Sequence, residues 1–155
     1  MKRFCLSMGL LAILAGPGVA FDTGEAEIVV SILEQLADER GEGVYAEAAA
    51  DWFEFDAEGS GLIAAAGYSE ENWMHAYDAL LAGYTAALPE AEFEATISGP
   101  MARLETSSLA EDQKALLRGE FKRLIAKSRE LRQVGAPYAD VVRPLMPRLD
   151  VLVER

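Results

Sequence analysis

Ser69-Glu70-Glu71-Asn72-Trp73-Met74-His75-Ala76-Tyr77-Asp78-Ala79-Leu80-Leu81-Ala82-Gly83-Tyr84-Thr85-Ala86-Ala87-Leu88 is the stretch that decides the fold. Ser69 suits an N-cap, because its hydroxyl can accept from a free backbone N–H of the first turn. Trp73, Tyr77, Leu80, Leu81, Tyr84 and Leu88 then recur at helical spacing and make one continuous apolar stripe. Pro89 ends this helix or opens the next segment. A stripe of this length has to be buried against other elements, so the spacing predicts a packed domain with this helix in its core.

The flanking segments read the same way. Thr23 can cap a first helix to about Arg40, with Ile28, Val29, Ile32, Leu33 and Leu36 on one face, stopped by Gly41 and Gly43. A second helix is expected over 44–55, carrying Val44, Ala48, Trp52 and Phe55. Residues 56–67 read as a turn with a short apolar run, Leu62-Ile63. Residues 90–106 read as one or two short helices interrupted at Gly99-Pro100. Ser108 and Glu111 have the spacing of a capping box and open a long helix to about Val134. Leu117, Phe121, Leu124 and Leu131, flanked by Leu116 and Ile125, are its expected buried stripe. Gly135-Ala136-Pro137 stops it. Tyr138, Val142, Leu145, Leu149 and Leu152 mark a last helical segment that Pro144 and Pro147 must kink or split.

Strand signals are weak and alanine, the best helix former, is abundant. Short loops between amphipathic helices favour antiparallel neighbours, so the fold expected is an all-α single-domain bundle of about five to seven amphipathic helices.

The first twenty residues concern address. Lys2 and Arg3 precede a predominantly apolar run from Phe4 to Ala15, and Gly16-Pro17 breaks it. Gly18-Val19-Ala20 places small residues where a signal peptidase reads. The expected organisation is a signal peptide over 1–20, cut after Ala20, and a helical domain over 21–155. Leu14-Ala15-Gly16 is followed by Pro17 rather than by the cysteine of a lipoprotein signal. The expected location is periplasmic or secreted, with no stable membrane insertion after cleavage.

Cys5, the only cysteine, leaves with that segment, which excludes thiolate catalysis and cysteine-based metal sites from the remainder. Residues 21–100 carry eighteen acidic residues and one basic residue, Arg40, a net −17, whereas 101–155 carry eleven basic and eight acidic, a net +3. So acidic a chain repels nucleic acid and anionic lipid, since binding either gains from neutralising phosphates. The two halves are expected to attract each other.

Asp56, Glu58, Ser60, Gly61, Leu62 and Ile63 follow a helix ending in aromatics. In this they resemble the front half of an EF-hand calcium loop, with oxygen ligands at alternate positions and a glycine at the sharp turn. The resemblance implies a calcium-responsive protein using 56–67. Against it, Ala64 and Gly67 stand where the later ligands belong. Leu109-Ala110-Glu111-Asp112-Gln113 resembles the LTxxQ motif of periplasmic stress chaperones, with Ala110 in place of the threonine and no second copy. That resemblance implies a chaperone-like protein.

His75, the only histidine, falls away from the apolar stripe beside Glu71 and Asp78, too few nitrogen or sulfur ligands for a transition metal. Any Ser-His-Asp triad would need the same His75, and no Gly-x-Ser-x-Gly elbow surrounds a serine. Trp52, Phe53, Phe55, Tyr68, Trp73, Tyr77 and Tyr84 crowd the middle of the chain, as core or as the lining of a pocket. No catalytic, cofactor-binding or metal-ligating residue is assigned from the sequence, and no cofactor is expected. The function expected is that of an exported soluble helical protein acting by binding to a protein or small ligand, not by catalysis.

Overall fold

A computed structural model describes residues 21–154; the expected signal peptide lies outside them. The described chain is all-helical. Its elements are α1 (Thr23–Arg40), α2 (Ala49–Glu58), α3 (Leu62–Ala65), α4 (Glu70–Ala87), α5 (Glu90–Thr106), α6 (Glu111–Gly135), α7 (Ala139–Val142) and α8 (Met146–Val153). Two 3₁₀ turns, Ala136–Tyr138 and Arg143–Leu145, flank α7. The prolines split this last segment as expected. None of the described helices is long and apolar enough to cross a membrane.

α4 is the hub, packing against α1, α2, α6, α7 and α8. Ser69 caps it by accepting from the Asn72 N–H at 3.3 Å. Trp73, Tyr77 and Leu80 are wholly buried. Around them lie Val29, Leu33 and Leu36 of α1, Trp52 of α2, Ile63 of α3, and Val142, Leu149 and Leu152 of the C-terminal segment. The polar tips inside are satisfied by backbone: Trp73 Nε1 donates to the Ala49 carbonyl at 2.9 Å and the Tyr77 hydroxyl to the Tyr45 carbonyl at 2.7 Å. The mid-chain aromatics are thus core or pack directly on it, rather than lining a pocket.

Several boundaries move. α1 is capped by Asp22, not Thr23: its carboxylate accepts from the Glu25 N–H at 2.9 Å. α2 begins at Ala49, because 44–48 is held as a turn by the Val44 N–H donating to the Leu152 carbonyl and by a left-handed Glu47 at φ 73°. α5 runs unbroken through Pro100, with Phe93 and Leu104 buried towards its two ends. α6 begins at Glu111 with no Ser108 cap; instead Gln113 Oε1 accepts from the Ala110 N–H at 3.2 Å.

The largest departure concerns α6 itself. Its stripe is not buried: Leu117 is 37% exposed, Leu124 53% and the flanking Leu116 70%, while Phe121 and Leu131 are half-buried. α5 packs mainly on α6, and neither contributes to the central hydrophobic cluster. The two form an antiparallel hairpin standing beside the core. Ion pairs join them, Glu105 to Arg118 at 2.7 Å, Glu94 to Arg129 at 3.3 Å and Glu90 to Arg132 at 3.1 Å. The Arg132 guanidinium also covers the Phe93 ring at 4.8 Å and donates to the Thr85 carbonyl, tying α4, α5 and α6 together. Arg129, Arg132 and Lys127 pair with acids of the first half, as does Arg148 with Glu34, so the two charge halves do meet.

Three tyrosines titrate late. Burial first, and nearby Glu25 next, push Tyr68 up to about 12. Burial and Asp150 push Tyr84 up to about 12, and burial also raises Tyr77. A raised folded-state value means the folded chain holds protons that the unfolded chain releases above about pH 10. Stability is therefore expected to be intact below about pH 10 and to fall as pH rises from there towards 12. Absorbance titration of tyrosinate alongside circular dichroism checks this. Free titration of all tyrosines near pH 10 with no loss of helix would contradict it.

Candidate functional site

α4 and α6 meet backbone to backbone at one end. Gly135 lies so close to α4 that a β-carbon there would fall 1.9 Å from the Ala82 carbonyl oxygen. Its φ of −76° is open to any residue, so the glycine serves close approach, not an unusual turn. Away from this contact the helices leave a groove of about 650 Å³. Ala79, Leu81 and Ala82 of α4 face Leu124, Leu131 and Val134 of α6, and Tyr138 closes one end. Tyr138 in turn stacks edge-on against Phe21 at 5.7 Å.

The rim is charged. Glu47, His75, Asp78, Lys127 and Glu130 border the apolar floor. Lys127 pairs with Glu47, which reaches it from the left-handed position in the α1–α2 loop. A left-handed glutamate carries backbone strain of order 1–2 kcal/mol, so its placement is imposed by the loop. Burial raises the Asp78 carboxyl above its ordinary range; His75 lowers it and Glu47 raises it further. Around the rim, three carboxylates thus stand against one lysine and one histidine.

The residues singled out in the sequence fall elsewhere. Asp56 is 2% exposed and its two oxygens accept from the Leu62 and Ile63 N–H groups at 2.8 Å each. It caps α3, while Gly61 at φ 67° makes the reversal. The Ser60 hydroxyl donates to the Glu39 carboxylate on α1. These bonds join helices and compete with any cation. Asp56→Ala is expected to lose about 1–3 kcal/mol through buried N–H groups left unpaired. Any calcium dissociation constant is expected near or above ~0.1–1 mM. Calorimetry tests this, and micromolar binding abolished by Asp56→Ala would overturn it.

Gln113, which carries the chaperone-like resemblance, is engaged in capping α6. His75 is brought to the groove rim with Asp78, but no cluster of three or more metal-ligating side chains occurs among the described residues. Sequence reasoning missed the groove. The available signal was a second apolar stripe, on α6, in a chain whose other helices already suffice to bury one another. Fold and groove define a class: a helical domain with a stripe-bearing hairpin held open beside its core. Comparison with family models, curated proteins and solved structures finds no match in any of the three.

Proposed function

We propose that the protein is exported to the periplasm and acts by binding, gripping an apolar segment of a partner in the groove between α4 and α6. The Lys2-Arg3, apolar-run and Gly18-Val19-Ala20 pattern supports the address. The observation that carries the binding reading is the groove itself, walled by alanine and leucine side chains of α4 and α6, with Leu124 of that wall exposed. Contiguous exposed apolar surface rimmed by charge marks interaction sites more often than it occurs idly. The rim carries three carboxylates, Glu47, Asp78 and Glu130, against one lysine, Lys127, which suits a partner bearing a basic residue beside its apolar side chains.

The test is capture of partners from periplasmic extract with the wild-type protein and with Leu131→Glu as bait. The reading expects capture that the variant loses while keeping its melting temperature. Equal capture by both baits would remove the groove from the function.

A further inference from the structure

We infer that the partner segment gripped between α4 and α6 is an amphipathic helix with basic residues flanking its apolar stripe. This deepens the binding reading above, rests on it, and names the chemistry of the occupant.

The walls decide the occupant's backbone. A partner bound as an extended strand needs a sheet edge to pair its N–H and C=O groups. The described chain is all-helical and offers no such edge. A polyproline segment needs an aromatic-lined trough. Here Tyr138 stands at one end, and the walls between are alanine, leucine and valine. A helix closes its own backbone bonds and asks the groove only for apolar contact. Ala79 and Ala82, three residues apart on α4, are short enough to let another helix approach closely. Leu124, Leu131 and Val134 make the facing wall. From Leu124 to Val134 that wall rises roughly 15 Å at 1.5 Å per residue, nearly three turns of helix. Such a length takes apolar anchors spaced i, i+3 or i+4, and i+7.

The rim decides the occupant's charge. Glu47 is held by Lys127. Asp78 and Glu130 are exposed, and neither forms an ion pair with lysine or arginine among the described residues. They stand on α4 and α6, one on each side of the groove. Arg118, Arg129 and Arg132 of α6 are already engaged by Glu105, Glu94 and Glu90 of α5. Lysine or arginine on both flanks of the occupant's stripe matches this pair of carboxylates. An acidic helix would meet like charge there, and again in the net −17 of residues 21–100.

Fluorescence anisotropy of synthetic peptides of about 18 residues, long enough to hold a helix, tests this against the full chain purified from an exporting host. One peptide sets leucine at helical spacing with lysine on the flanks. A second carries glutamate in place of lysine. A third has the composition of the first with leucine and lysine alternating. The first should gain helical circular dichroism on binding and bind at least about tenfold more tightly than the others. Leu124→Glu adds a carboxylate, so it would strengthen a general attraction to an acidic surface; seated binding should instead be lost, with the melt unchanged. Asp78→Lys together with Glu130→Lys should reverse the preference between the lysine and glutamate peptides. No binding of the first peptide, equal binding of the alternating one, or binding that Leu124→Glu leaves intact overturns the basic helix. Tighter, competitive binding of monomeric dodecyltrimethylammonium would give the groove to a small amphiphile and also overturn it. The wider reading is decided separately by capture with Leu131→Glu: lost capture without a preference for the basic helix refutes this occupant and keeps the groove, whereas equal capture refutes both.

Discussion

Leu80→Ala is expected to remove roughly 2–5 kcal/mol of stability, the sum of lost transfer energy and the cavity left behind. Leu80 is wholly buried on α4, the helix against which most of the others pack. Its neighbours are whole helices, which cannot close around a vacated leucine without moving the bundle axis. Against a total stability of about 5–15 kcal/mol for a domain, such a loss leaves the fold marginal. Denaturant unfolding measures it. A change below about 0.5 kcal/mol, the surface range, would mean that this face does not form the core.

Gly135→Ala is expected to cost about 3 kcal/mol, the upper end of ordinary overpacking. The added β-carbon would lie 1.9 Å from the Ala82 carbonyl oxygen and 2.2 Å from its carbon. Both are backbone atoms of a helix, and no side-chain rotation relieves the clash. The damage should be local, prising α6 from α4 while α1, α2 and α8 stay packed. Hydrogen exchange should show α6 amides losing protection before those of α1. Gly119→Ala is the control on the same helix, because nothing lies within 4 Å of its β-position. It should stabilise by about 0.5–1 kcal/mol through reduced backbone entropy of the unfolded chain. Equal effects from the two substitutions would refute the close-approach argument.

The groove depends on the same contact. Gly135 brings the end of α6 against α4, and the apolar walls that face each other do so because that contact sets their spacing. Gly135→Ala is therefore expected to disturb both stability and binding. Substitutions on the exposed part of the groove wall, such as Leu124→Glu, should alter binding alone. That side chain is 53% exposed, so its loss leaves no cavity in the core.

Where neighbours in sequence decide the outcome, the residues were legible. The Ser69 cap, the Trp73-to-Leu81 stripe, the left-handed Gly41 stop after α1 and the breaks at Pro144 and Pro147 all act within a few residues of themselves. Helix periodicity, capping and proline chemistry are local, so the all-helical class and the identity of the central helix follow from the sequence alone. What reaches across the fold did not. Asp56 reads as one ligand of a cation loop until the chain folds its carboxylate back onto α3. Gly135 reads as a helix stop until α4 is placed against it. Leu117, Phe121, Leu124 and Leu131 have the spacing of a buried stripe, and spacing shows only that a face is apolar. Whether another helix covers that face depends on how the remaining helices share a finite core. Here α1, α2, α7 and α8 fill the surface around α4, α5 occupies one flank of α6, α4 meets the other at its C-terminal end, and tertiary packing leaves Leu117 and Leu124 uncovered.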